Sequence, residues 1–276
     1  MTGAPGELRP ALLAGAAGRI SFSAHLSMLF RELPVLERPA AAAAAGFAFV
    51  ESWWPGADLV DRWAAEVARH GLRVRLLNAD GGDLEAGERG FLNVPERRDE
   101  TLAACEAAVA AAARCGAPYV HVLVGRDTGT ASREAQLATA AEGLAECAAL
   151  ARGTGVRLVI EPINDRDVPG YLVRTGAEAT RLVERAGCDD VGLLYDAYHA
   201  ARMGLDPCDD VVGWLPRIAH VHYADCPGRG APGSGAIELD RLVAVLADAG
   251  YDGVVGLELD PGPSTAAALA AVPRWT

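Results

Sequence analysis

Three acidic side chains each follow an uninterrupted apolar run: Glu161 after Leu-Val-Ile, Asp196 after Gly-Leu-Leu-Tyr, and Glu258 after Val-Val-Gly-Leu. His222 falls near the end of a fourth β-rich run, 218–225. A single carboxylate at a strand end more often caps a helix or meets an arginine than binds a ligand. Three on buried leads are a different case, because converging carboxylates repel one another and resist ionisation unless a cation holds them. Three carboxylate oxygens and one imidazole nitrogen suit a divalent cation, Mn²⁺ or Mg²⁺ first, with Co²⁺ and Zn²⁺ compatible.

Other polar residues compete for the same neighbourhood. Glu51 and Asn78 also end β-rich runs, and His25 would line a pocket beyond the first one. His121 lies mid-run and divides evenly between core and pocket. His220 precedes His222 by two residues and so shares its face of a strand. Lying farther from the strand end, it reads as a satisfied core histidine. His70, before Gly71 at a helix end, reads as a partner of the helix dipole.

Eight short runs supply the elements that must position these groups: 20–24, 47–51, 72–78, 119–124, 156–161, 191–196, 218–225 and 253–258. Ala-rich helical stretches lie between them at 33–45, 58–70, 99–115, 132–152, 175–186 and 239–249, with a weaker helical signal around 200–215. Gly46, Gly71, Gly116, Gly187 and Gly250 follow five of these, each suited to the left-handed position after a helix. Strand–helix alternation implies parallel strands joined by crossover helices. Eight units in about 250 residues fit one closed α/β barrel, a (β/α)₈ TIM barrel, better than an open sheet. No GxGxxG follows the first strand, which argues against dinucleotide binding. The barrel is expected over 19–276, after a flexible Gly/Ala/Pro-rich tail at 1–18 that lacks the basic cluster of a signal peptide. In such a barrel the active site lies at the C-terminal strand ends, where the acids are.

The 276 residues carry 25 Lys+Arg against 37 Asp+Glu, a formal net charge of −12. That balance argues against a nucleic-acid or anionic-membrane surface and leaves a small molecule as the expected partner. A phosphodiester-cleaving nuclease would want a basic groove and more than the six histidines present. The chain contains no lysine, which excludes Schiff-base chemistry, pyridoxal phosphate and a Walker A loop. The six cysteines (Cys105, Cys115, Cys147, Cys188, Cys208, Cys226) form no CxxC or zinc spacing. They read as small apolar residues of a reduced, cytoplasmic protein.

The same residues carry a family likeness. From residue 20 to residue 261 the chain resembles the hydroxypyruvate isomerase family of the xylose isomerase-like barrels. The likeness is most specific in SAHLSMLF (23–30), GDLEAGERG (82–90), IEPINDRDVPGYL (160–172), YDAYH (195–199), HVHYADCPGRGAPGSGAIE (220–238) and GLELDP (256–261). It implies metal ligands at Glu161, Asp196, His222 and Glu258, with Glu161 and Glu258 as the acid/base pair. His199 and Arg229 match substrate-contacting positions of related ketose epimerases, where the alternatives are a helix cap and a surface ion pair. It is also compatible with a homo-oligomer, which helix faces alone do not specify. Elementary chemistry agrees. Moving a carbonyl to the neighbouring carbon requires removing a C–H proton beside it, leaving an enediolate whose charge a divalent cation stabilises. No organic cofactor is required.

The chain departs from the family pattern at three pocket positions. His222 stands where bacterial members commonly have Gln, Asp260 where Lys is common, and His25 where Asn is common. The leading expectation is isomerisation of hydroxypyruvate to tartronate semialdehyde. A ketose 3-epimerase or a metal-dependent lyase on the same barrel are the enzymatic alternatives, and a non-catalytic sugar-binding barrel is the alternative of a different class.

Overall fold

A computed structural model describes residues 20–270; the tail expected at 1–18 lies outside the described residues. The eight strands are β1 (Ser21–His25), β2 (Phe49–Ser52), β3 (Arg73–Asn78), β4 (Tyr119–His121), β5 (Arg157–Ile160), β6 (Gly192–Asp196), β7 (Ile218–Tyr223) and β8 (Val254–Leu257). Each pairs in parallel with the next, and β8 pairs back to β1, closing the barrel. A closed parallel sheet has helices outside and side chains within, which is why its strands read as apolar runs rather than as alternating ones.

The crossovers are α1 (Arg38–Ala44), α2 (Val60–Arg69), α3 (Arg98–Cys115), α4 (Arg133–Ala151), α5 (Gly176–Ala186), α6 (Ala197–Arg202), α7 (Pro207–Trp214) and α8 (Leu239–Asp248), with α9 (Thr265–Ala270) after β8. Gly116 and Gly187 end α3 and α5 with φ of 72° and 66°, a left-handed conformation that a Cβ would disfavour. Ser132 and Thr175 cap α4 and α5, their hydroxyls accepting from the N–H groups of Ala135 and Glu178.

Three expected boundaries shift, each for a local reason. The first helix begins at Arg38 rather than near residue 33, after a series of turns, with Pro39 in its first turn where a missing N–H costs nothing. Strand β4 ends at His121; the Val122 N–H still donates to the Val159 carbonyl at 2.9 Å, but the Val124 N–H turns to the Tyr171 hydroxyl, 2.8 Å away. The stretch around 200–215 is two short helices, the second restarted by Asp206, whose carboxylate accepts from the Cys208 N–H.

The main apolar core lies between barrel and helices, with Trp63, Leu144, Leu158 and Leu242 fully buried. A separate small cluster of Leu76, Val159, Leu194 and Ala219 packs together with Tyr119. Toward the strand ends apolar packing gives way to Ser23, His25, Glu51, His121, Glu161, Asp196, His220, His222 and Glu258, all buried. All six cysteines are free. Among the described residues no helix is long and apolar enough to cross a membrane.

Candidate active site

Strand register brings the first groups together. Asp196 on β6 is opposite His222 on β7, and His222 is opposite Gly256 on β8. Glu161 follows β5 and Glu258 follows β8. Glu161, Asp196, His222 and Glu258 each present one donor atom, and the four atoms lie within 4.8 Å of one another. They come from four different strands, so only barrel closure gathers them.

The polar atoms of this group are unevenly satisfied. Glu161 Oε1, Asp196 Oδ2 and His222 Nδ1 are buried and make no hydrogen bond. Native proteins rarely leave three such atoms together without a partner, and a divalent cation is the partner that suits oxygen and imidazole donors at once. The donor set therefore fits the expected cation.

Asp196 also fills the role set against ligation in the sequence. Its Oδ1 caps α6, accepting from the N–H groups of Tyr198 (2.7 Å) and His199 (3.3 Å), while Oδ2 stays free for the site.

The two glutamates are held differently. Burial pushes Glu161 up, and the nearby Asp196 and Glu258 add to it, leaving its carboxyl well above the usual range. Burial also raises Glu258, but Arg229, then His25 and His222, more than offset it and hold the carboxyl well below that range. Arg229 Nη2 donates to Glu258 Oε2 at 2.7 Å, and Trp53 Nε1 donates to Oε1 at 3.0 Å. Arg229 stands 4.0 Å from Asp196 Oδ2 and over the Tyr198 ring at 5.3 Å. Its φ of 54° is unusual for a residue with a side chain, a conformation that costs on the order of 1–3 kcal/mol unless neighbours enforce it. The Asp260 N–H, donating to the Arg229 carbonyl at 2.7 Å, does so here.

Glu51 lies fully buried beside these donors, with both oxygens engaged. Oε2 accepts from His222 Nε2 at 2.7 Å, and Oε1 accepts from His220 Nε2 at 2.9 Å and from the Ser23 hydroxyl. Gly256 makes room for this: a Cβ there would stand 2.6 Å from Glu51 Oε1 and from His222 Cδ2. With its Nε2 proton committed to Glu51, His222 turns Nδ1 toward the site, 3.3 Å from Glu258 Oε2. Burial lowers the His222 pKa, but Glu51 and Glu258 more than offset it and hold the imidazole well above the ordinary histidine range.

Three other histidines surround the group, all neutral at pH 7. Burial depresses His25 to about 4, His121 to about 3 and His199 to about 4. His25 Nε2 is 3.6 Å from Glu258 Oε1, and His121 Nε2 is 3.7 Å from Glu161 Oε2. His199 Nε2 is 3.8 Å from both Glu161 Oε1 and Asp196 Oδ2. Asn78 pairs with His121 in register and buries an Oδ1 that makes no hydrogen bond.

Two supporting residues were not singled out in the sequence. Asn164, inside the EPIN stretch, sets its amide nitrogen 2.6 Å from His199 Nδ1 and 3.0 Å from Asp167 Oδ2. An amide nitrogen only donates, so His199 accepts at Nδ1 and carries its proton on Nε2, facing the carboxylates. Trp53, on Glu258, follows β2 directly. The only sequence signal for Asn164 was its place in a distinctive motif, and for Trp53 its place just past a strand end.

The chain matches the Xylose isomerase-like TIM barrel family over residues 39–275. It is 36% identical over 256 residues to the hydroxypyruvate isomerase of Escherichia coli (strain K12), covering 93% of this chain and 98% of that protein. It is 34% identical over 248 residues to the 2-oxo-tetronate isomerase of Cupriavidus necator, covering 90% and 95%. Among solved structures, AP endonuclease, family 2 from Brucella melitensis superposes with a TM-score of 0.85 at 34% identity, covering 90% of this chain and 96% of that one. The Escherichia coli 3-keto-D-glucoside 4-epimerase gives 0.75 at 21% identity over 91% and 95%, a likeness of fold alone.

Proposed function

The chain belongs to the hydroxypyruvate isomerase family of the xylose isomerase-like TIM barrels and is an isomerase, and from that premise we propose a metal-dependent interconversion of small hydroxycarbonyl compounds. The nominal reaction is hydroxypyruvate to tartronate semialdehyde, by proton transfer through an enediolate between Glu161 and Glu258. The observation that carries this reading is the convergence of Glu161, Asp196, His222 and Glu258 within 4.8 Å, with three of their donor atoms buried and unpartnered.

A divalent cation held by those four residues would stabilise the negative charge that develops on the substrate's oxygens. The protein supplies the rest. Glu258, kept ionised by Arg229 and oriented by Trp53, is suited to accept a C–H proton. Glu161, 3.8 Å from His199 Nε2 through its Oε1, is the second carboxylate of the pair, suited to return one. His199, with Nε2–H directed at the carboxylates, His121 and His25 are neutral donors placed to orient substrate oxygens, and their burial keeps water from the proton in transit.

Deuterium tests the reading. With Mn²⁺ in D₂O, hydroxypyruvate should yield tartronate semialdehyde carrying deuterium at the carbon that was the ketone. Glu161→Gln and Glu258→Gln should each reduce turnover by about 10²–10⁴-fold while keeping the circular dichroism of the parent. Absence of both product and exchange in the parent enzyme would overturn the proposal. A ketose 3-epimerase is the second reading, favoured by His222 and by Arg229 at Glu258. Exchange confined to C3 of ketoses, with none on hydroxypyruvate, would select it instead.

A further inference from the structure

Five carboxyl side chains are buried among the described residues. Glu51, Glu161, Asp196 and Glu258 belong to the candidate site. The fifth is Asp225, just past the end of β7 and 1% exposed. A buried acid is costly unless its oxygens are well satisfied, and those of Asp225 are taken by main-chain donors. Its Oδ1 accepts from the N–H groups of Cys226 at 2.8 Å and Ile237 at 2.9 Å, and its Oδ2 accepts from that of Gly235 at 2.8 Å.

These three donors lie at the two ends of one loop, residues 226–237, and Arg229 is inside it. Four glycines and two prolines occupy this stretch. Glycine gives such a loop wide conformational freedom and few side chains to pack, so its order rests on hydrogen bonds. The carboxylate gathers them at one point. Beside it the Ala236 N–H donates to the Cys226 carbonyl at 2.8 Å, and Asp225 and Gly230 exchange main-chain bonds at 2.9 and 3.2 Å. The fit is close: a Cβ on Gly235 would collide with the Cys226 carbonyl and stand 2.7 Å from Asp225 Oδ1.

Arg229 adjoins Gly230 and therefore this paired segment. Its main chain, at φ 54°, is held on one side by the Asp225–Gly230 exchange and on the other by the Asp260 N–H. From that position its Nη2 reaches Glu258 Oε2 at 2.7 Å and its Nε reaches the Glu258 carbonyl at 3.4 Å. Resting on the isomerase reading, we propose that Asp225 is a positioning residue of the reaction, acting through Arg229 by closing the loop that delivers the guanidinium to Glu258. A charge-assisted bond of this kind depends on placement, and a shift of about 1 Å in a catalytic group costs about 10²-fold in rate.

The test is a double-mutant cycle on kcat, with the Mn²⁺-loaded full-length protein and hydroxypyruvate, combining Asp225→Asn with Arg229→Gln. Hydrogen exchange over residues 226–237 is followed alongside. Asparagine keeps the size of the side chain but turns an amide nitrogen toward an N–H donor. Asp225→Asn is expected to lower kcat by about 10–100-fold and to speed exchange in the loop by about tenfold. In the Arg229→Gln background the same substitution should change kcat by no more than about twofold, because the group it positions is gone. Gly235→Ala displaces the loop while leaving the carboxylate in place, and should show the same dependence on Arg229. An equal loss of kcat in both backgrounds is what a purely structural role gives; that result, or unchanged loop exchange in Asp225→Asn, overturns the proposal. The two readings fail separately. A parent without turnover would sink isomerisation, and a crystal structure of Asp225→Asn then decides: Arg229 displaced from Glu258 upholds the positioning role, and Arg229 still on Glu258 overturns it.

Discussion

Glu51 and His222 meet across the barrel, from β2 to β7, with Oε2 2.7 Å from Nε2. That contact decides which nitrogen of His222 faces Glu161, Asp196 and Glu258. A ligating imidazole whose second nitrogen donates to a carboxylate is fixed in both tautomer and orientation, and such outer partners typically account for 10–100-fold in metal affinity. Glu51→Gln keeps the size of the side chain but can accept at only one of its two positions. Calorimetry should find Mn²⁺ bound about 10–100-fold more weakly; unchanged affinity would mean that His222 does not ligate through Nδ1.

Gly256 guards the same contact. The 2.6 Å approaches that a Cβ would make to Glu51 and His222 leave no slack in a fully buried layer. Gly256→Ala should therefore lower both the melting temperature and Mn²⁺ affinity. A variant as stable and as tight-binding as the parent would show the layer to be loosely packed.

Cation binding should release protons. In the folded protein without a cation, His222 is held above the ordinary histidine range by Glu51 and Glu258. Glu161 is held above the usual carboxylate range, first by burial and then by its acidic neighbours. Both retain protons that a cation must displace. Affinity is therefore greatest above both raised values and falls as pH is lowered through them. Calorimetry in buffers of different ionisation enthalpy should detect proton release near neutral pH, with a weakening dissociation constant toward pH 5. A pH-independent constant would contradict this assignment.

Asn164 works at one remove, through His199. Its amide donates to Nδ1 at 2.6 Å and so keeps the His199 proton on Nε2. Asn164→Asp reverses the polarity of that bond and draws the proton to Nδ1. The expected result is a fall in kcat of about tenfold or more, with Mn²⁺ affinity close to that of the parent. A variant with normal kcat would remove His199 from the reaction.

The barrel was legible because a buried parallel strand must be apolar and its crossover helix must end, so Leu-Val-Ile before Glu161 and Gly116 after α3 left signals in the one-dimensional pattern. The four clustered donors were legible for the same reason: acids on apolar leads contrast with their surroundings. What the pattern lacks is any record of which side chain reaches across the barrel. Glu51 shares the strand-end position of Asn78, and only closure, with the close approach at Gly256, turns it toward His220 and His222. Asp196 likewise could be read as cap or ligand, and its two oxygens let it serve as both. Trp53 and Asn164 lie in loops whose course no periodicity encodes.

The most direct measurement is the anomalous scattering of crystals grown with Mn²⁺. One ion bound by Glu161, Asp196, His222 and Glu258, with Glu51 still on His222 Nε2, is the result the account predicts. A protein that takes up no ion there, with Arg229 alone neutralising Glu258 and Asp196, would contradict it.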